Sequence, residues 1–156
     1  MIKILPKVEI YTDGASRGNP GPGGYAAILK FGDKIKEISR GFRLTTNNRM
    51  ELMAIIEALK QLKVPCNVTV YTDSQYVANS IEKGWVFNWV KKNFKGKSNA
   101  DLWKEFLELY KIHKISIVWI KGHNGHIYNE RCDKLAVEAA KKNPSSIDFG
   151  YEKNLN

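Results

Sequence analysis

The chain is poor in cysteine, histidine and proline, and it has no long hydrophobic run. Only Cys66 and Cys132 occur among its 156 residues. Two cysteines without metal-ligand spacing argue against a disulfide framework or a thiolate zinc site, and read most simply as two free thiols. The apolar runs are far too short to span a bilayer. The opening Met1-Ile-Lys-Ile-Leu-Pro6 has no apolar core of signal-peptide type, so a cytoplasmic protein is expected. The segment Gly14 to Gly24 is rich in glycine and proline but lacks the Gly-Lys-Ser/Thr ending of a nucleoside-triphosphate cradle. Its glycines instead permit close backbone approach.

A further absence is local. Between Lys83 and Ser98 there is no acidic residue, while Lys83, Lys91, Lys92, Lys95 and Lys97 supply five positive charges. The whole chain carries 25 Lys and Arg against 16 Asp and Glu, a net charge of +9. That balance suits a polyanionic partner, although a solvated lysine surface gives the same number. With 43% hydrophobic residues, the length fits one domain with a single core.

What the chain does have is a phrase used twice. Val8 to Asp13 reads VEIYTD and Val68 to Asp73 reads VTVYTD, each followed by a turn former, Gly14 or Ser74. Both copies read as strands that deliver an aspartate at the C-terminal end. Paired in parallel and in register, the two aspartates lie roughly 5 Å apart, the spacing between neighbouring strands. Two carboxylates at that separation do not both stay ionised cheaply without a cation between them.

The remaining pattern alternates strands and helices. Tyr25 to Phe31 and Ile35 to Phe42 flank a hairpin signal at Gly32-Asp33-Lys34 and complete a three-strand meander. Thr45 or Thr46 caps a helix from about Asn47 to Leu62, in which Leu52, Ile55, Ile56, Leu59 and Leu62 share a face. A strand ending at Asp73, a short helix, a helix from Asp101 to Tyr110, a strand from Ile115 to Ile120 and a helix from Asn129 to Lys142 follow. This is an α/β pattern with a mixed sheet, and right-handed crossovers put the fourth strand beside the first. Residues 145–156 read as a polar tail, either disordered or docked through Phe149 and Tyr151. Trp103 and Trp119 are assigned to packing.

A helical wheel places Glu51 at the border of the apolar arc of its helix, beside Ala58 and Leu62, and Asp133 between Val137 and Ala140 on the side that faces the sheet. Each carboxylate alone fits a helix N-terminal turn or a tight turn. Together, Asp13, Glu51, Asp73 and Asp133 form an oxygen-only donor set of the kind that selects a hard cation such as Mg²⁺. Two such ions about 3.5–4 Å apart form the clamp used for in-line displacement at phosphorus.

YTDGA followed by GNPGPGG, then TNNRMEL, YTDSQY, and KGH with NERCD resemble ribonuclease H of the bacterial type 1 class, in family order over residues 7 to about 142. The resemblance implies a ribonuclease H-like five-stranded mixed sheet of strand order 3-2-1-4-5 with helices on both faces. It implies residues 1–142 as the catalytic domain, with a basic protrusion at 83–98 and a tail at 143–156. It further implies a monomeric endonuclease that hydrolyses the RNA strand of RNA/DNA hybrids and leaves 5′-phosphate and 3′-hydroxyl ends. Asp13, Glu51, Asp73 and Asp133 would hold two Mg²⁺ ions, with Mn²⁺ as a substitute. The residues alone do not separate His123 from His126. The order of the family motif selects His123 as the proton-transfer or product-release histidine.

By the same resemblance Asn19, Asn48 and Gln75 read the minor groove, where 2′-hydroxyls distinguish RNA from DNA. Thr46 and Asn47 would hold a phosphate of the DNA strand. Any of these could equally be a loop or cap residue. Trp85 and Trp89, four apart, with Lys91 and Lys92, fit a backbone groove with stacking platforms, and the segment resembles the basic protrusion that grips the DNA strand. Rivals of other classes are a basic protein that coats hybrids without chemistry and a nuclease acting on DNA junctions.

Overall fold

The computed structural model describes residues 4–122 and 126–153. Strands β1 (Lys7–Ser16), β2 (Gly21–Phe31) and β3 (Lys34–Thr45) form the meander, the second hairpin turning at Gly32-Asp33. Helix α1 (Asn47–Leu59) leads into β4 (Asn67–Thr72). Helices α2 (Gln75–Glu82), α3 (Trp85–Lys91) and α4 (Ala100–Tyr110) precede β5 (Lys114–Trp119), and α5 (Ile127–Lys141) and the short α6 (Phe149–Glu152) close the described chain.

The sheet order is β3-β2-β1-β4-β5. Strands β1, β2 and β3 pair antiparallel, whereas β1 with β4 and β4 with β5 pair parallel. The repeated phrase is in register, Val8 opposite Val68, Ile10 opposite Val70 and Tyr11 opposite Tyr71. Two-residue alternation then sorts the side chains onto two faces. Val8, Ile10, Ala27 and Leu29 pack with Leu52, Ile55 and Leu59 of α1. Ala26 and Ile28 face the other way and pack on Cys132 and Ala136 of α5. Helices therefore cover both faces, as the strand pattern and the resemblance imply.

Local chemistry sets the boundaries. Thr46 caps α1, its hydroxyl accepting the Arg49 N–H at 3.3 Å. The helix ends at Leu59, short of the expected Leu62, because Gln61 and Leu62 turn their N–H groups to Ala58 and Leu59, three residues back rather than four. Helix α5 starts at Ile127, two residues earlier than the pattern suggests.

Two expectations about aromatic residues need correction. Trp103 is fully buried beside Phe106, but Trp119 is 44% exposed and is no core residue. Its indole N–H instead donates to the Asp73 carbonyl at 3.0 Å. The tail also docks differently. Phe149 is 73% exposed and Tyr151 half-buried, while Asp148 is buried and accepts from the Thr45 hydroxyl at 2.7 Å and from Arg49 Nε at 2.8 Å. A carboxylate with a buried guanidinium waiting for it makes a stronger anchor than a partly wet ring. Both cysteines are free and buried.

Candidate active site

Strand β1 pairs with β4 only as far as Tyr11 opposite Tyr71, yet its pairing with β2 continues to Ser16 opposite Gly23. Asp13 sits in this continuation, so β1 does not end at the aspartate as its sequence suggests. Asp73 follows the last residue of β4 directly, and Ser74 caps α2 by accepting from Val77 N–H at 3.2 Å. The Trp119 indole bonded to the Asp73 carbonyl fixes the backbone at that point. Glu51 comes from α1. A Cβ at residue 14 would collide with Glu51 N and Met50 C, so only glycine there lets β1 pass close enough to α1 for the two carboxylates to meet.

The result is a tight group. Single carboxylate oxygens of Asp13, Glu51 and Asp73 all lie within 4.8 Å of one another. Asp13 and Glu51 are each only 4% exposed. Glu51 Oε2 is buried without a hydrogen-bond partner. Burial, with the Asp73 and Asp133 carboxylates adding to it, pushes Asp13 up to about 7. Burial and then the charge of Asp13 raise Glu51 well above the ordinary carboxylate range. Asp133 lines the same cleft from α5, outside the group of three but close enough to raise Asp13. The cleft holds about 490 Å³. Buried, crowded, oxygen-only donors with an unpartnered oxygen fit a hard divalent cation, which would supply the missing partner and relieve the repulsion.

The expected substrate residues fall into neighbouring places. Asn47, Asn48 and Gln75 line the carboxylate cleft. Asn19 and Thr46 line an adjoining groove that Asn48 shares. Both also have local work, since Asn19 Oδ1 accepts the Asn47 N–H at 3.1 Å and Thr46 caps α1. Trp89 packs edge-on to Trp103, ring centres 5.8 Å apart, and borders a small cleft with Asn48, Tyr76 and Lys97. Trp85 is exposed, with Lys83 Nζ 5.6 Å above its ring. Lys91 and Lys92 are exposed at the end of α3. His123 lies outside the described residues.

Sequence reasoning missed Asn99, Lys104 and Lys153, which the fold gathers in the groove with Asn48. Only the net charge hinted at the two lysines, because they are far apart in sequence and carry no motif.

A family model described as RNase H matches residues 6–141. The chain belongs to the ribonuclease H family. The family is one of metal-dependent nucleases, so the chain is an enzyme. It is 62% identical over 138 residues to ribonuclease HI of Helicobacter pylori, covering 88% of this chain and 96% of the relative. The crystal structure of LC9-RNase H1, a type 1 RNase H with the type 2 active-site motif, superposes with a TM-score of 0.82 at 30% identity, covering 98% of this chain and 82% of that one. LC11-RNase H1, solved in complex with an RNA/DNA hybrid, superposes with a TM-score of 0.66 at 25% identity over 96% of this chain and 99% of that one. Among the described residues no helix is long and apolar enough to cross a membrane.

Proposed function

We propose that this protein is a cytoplasmic, monomeric endoribonuclease that hydrolyses the RNA strand of RNA/DNA hybrids with two Mg²⁺ ions, leaving 5′-phosphate and 3′-hydroxyl ends. The observation that carries this reading is the group of buried Asp13 and Glu51 with half-buried Asp73, with an unpartnered Glu51 oxygen, in a chain of the ribonuclease H family. Asp13, Glu51, Asp73 and Asp133 would hold the ions, with Mn²⁺ able to substitute. When bound, such ions supply Lewis-acid activation of water and charge stabilisation at the leaving oxygen. We assign catalysis to residues 1–142.

The chain's own groups divide the remaining work. Asp13 belongs to the group with Glu51 and Asp73 and is close enough to Asp133 to be raised by it. Asn48 and Gln75 on the cleft wall offer amides that both donate and accept, the chemistry needed to read a 2′-hydroxyl. Asn19 shares this reading through the groove edge. Thr46 and Asn47, at the positive N-terminal end of α1, hold a phosphate of the DNA strand. Trp85 and Trp89 with Lys91 and Lys92 support the DNA backbone beyond it. His123 transfers a proton or assists product release.

The test is cleavage of an end-labelled RNA strand, alone, paired to RNA and paired to DNA, with Mg²⁺ or EDTA. Cleavage confined to the hybrid and lost with EDTA is expected. Cleavage of all three substrates, or none, contradicts the reading.

A further inference from the structure

The segment after α5 lies beyond the family match to residues 6–141, yet it is wired into the floor of the substrate groove. Asp148 accepts Arg49 Nε at 2.8 Å and Nη2 at 2.9 Å, and the Thr45 hydroxyl at 2.7 Å. Its carboxylate also accepts the Tyr151 N–H at 3.3 Å, which starts α6. The other edge of Arg49 is bidentate on Asp101, at 2.8 and 2.7 Å, and reaches Asn99 Oδ1 at 3.4 Å. Asn99 in turn donates to the Tyr76 hydroxyl at 3.2 Å, which also accepts the Trp103 indole at 2.9 Å. One polar chain thus ties the C-terminal segment to the starts of α1, α4 and α2. Those three starts carry Asn48, Asn99 and Gln75.

A second strap holds the segment from outside. Arg43 grips Glu152 with Nε at 3.0 Å and Nη2 at 2.8 Å, and its backbone N–H donates to Ser146 at 2.9 Å. Gly150 packs so closely on the Arg49–Asp101 pair that a Cβ there would collide with both. So seated, the segment places Gly150, Tyr151 and Lys153 on the wall of a groove of about 700 Å³ that Asn48, Lys97 and Lys104 also line.

The groove's chemistry defines its ligand. Lys97, Lys104 and Lys153 make no ion pair among the described residues. Among the described residues the one carboxylate on the wall, Asp101, is already engaged by Arg49. Lys97 lies over the Trp89 ring at 5.1 Å and Lys104 over the Phe94 ring at 5.7 Å, contacts that leave their charge uncompensated by any carboxylate among the described residues. Such cations beside amide donors match a phosphodiester backbone. Asn48 is shared with the carboxylate cleft, so a strand in this groove runs on to the active site.

We infer that residues 148–153 are part of the substrate grip, with Asp148 as the positioning residue that seats them through Arg49 and Lys153 as a phosphate contact. This rests on the reading of a nucleic-acid substrate. A segment that merely stabilised the fold would leave affinity and its salt dependence untouched.

The experiment uses the full chain and a fluorescent RNA/DNA hybrid in EDTA, with anisotropy measured over a series of KCl concentrations. Lys153→Ala is expected to weaken binding and to flatten the plot of log K against log salt by about 0.9, the value for one lost phosphate contact. Asp148→Asn, measured below its own melting temperature, is expected to weaken binding at every salt concentration and to raise KM with kcat little changed in Mg²⁺. Asp148→Glu should recover part of both. Lys111→Ala, at the far end of α4, should keep the wild-type slope. Wild-type affinity and slope in Lys153→Ala overturn the inference, as does an Asp148→Asn protein that melts earlier but keeps its Kd and KM. Should Asp148→Asn fail to fold, the exposed Lys153 decides alone. The same hybrid in Mg²⁺ reports on the functional reading separately, because a wild type that binds but never cuts sinks that reading and leaves the binding slopes intact.

Discussion

Helix α1 buries two charges two residues apart, and the protein treats them in opposite ways. Arg49 has its ion pairs complete, with Asp101 on one edge and Asp148 on the other. Glu51 is crowded by Asp13 and Asp73 and keeps an oxygen with no partner at all. A buried charge satisfied by its own chain holds structure together. One left unsatisfied at a cleft costs stability, and it persists where a ligand completes it. The first cluster therefore belongs to the scaffold and the grip, and the second to the chemistry.

The comparison breaks most sharply at its functional end. Asp13→Asn should reduce hybrid cleavage by more than roughly 10³-fold, the scale of losing a preorganised charge at a reacting centre, while hybrid binding and circular dichroism stay close to wild type. Retained metal-dependent cleavage would remove Asp13 from the site.

At the structural end, Arg49→Met should lower stability by about 3–5 kcal/mol, because it strands Asp148 in the interior without its cation. Chemical denaturation measures this. A loss under about 1 kcal/mol would mean that the Arg49 cluster contributes no more than an exposed pair.

Glu51→Gln sharpens the contrast by changing the sign. Asp13 titrates near 7 when folded, above the ordinary range for an unfolded aspartate. Its folded form is thus favoured while protonated, and that contribution is lost as pH rises through about 7 in the metal-free protein. Glu51 is itself raised well above the ordinary range by burial and by Asp13, so its folded form too is favoured while protonated and that contribution is lost as pH rises. Replacing it with an amide that never ionises should then raise the metal-free melting temperature at alkaline pH, by a few degrees for roughly 1 kcal/mol, although it destroys the site. A lower melting temperature would say that Glu51 is held by contacts not yet identified. The smallest effect is expected on the surface. Changing Lys91 and Lys92 to Ala should flatten the salt dependence of hybrid binding by about one unit per lost contact, and an unchanged slope would return them to the solvent.

Much of the functional end was legible in the sequence, because strand alternation, in-register pairing and the repeated aspartate are all local or follow from handedness rules. Helical periodicity puts Glu51 at the border of an apolar arc and Asp133 on the sheet-facing side of its helix, and the family resemblance implies their shared site. The Arg49 cluster was not legible. Its four members, Thr45, Arg49, Asp101 and Asp148, are separated by as many as 103 positions, and nothing in their local pattern predicts that they meet. The anchor of the tail is hidden for the same reason. Phe149 and Tyr151 look like anchors by hydrophobicity, but the energetic demand came from a buried guanidinium whose burial was invisible in sequence. The assignment of Trp119 to packing fails because edge strand β5 leaves it partly outside, with a hydrogen bond to make.

The most direct test of the contrast between the two clusters is a calorimetric titration of Mg²⁺ into the wild type, Asp13→Asn and Glu51→Gln at pH 8. The account predicts binding heat in the wild type that is lost or strongly weakened in both variants. Equal binding in all three proteins would mean that the clustered carboxylates are not the metal site, and the contradiction would fall on the chemistry rather than on the fold.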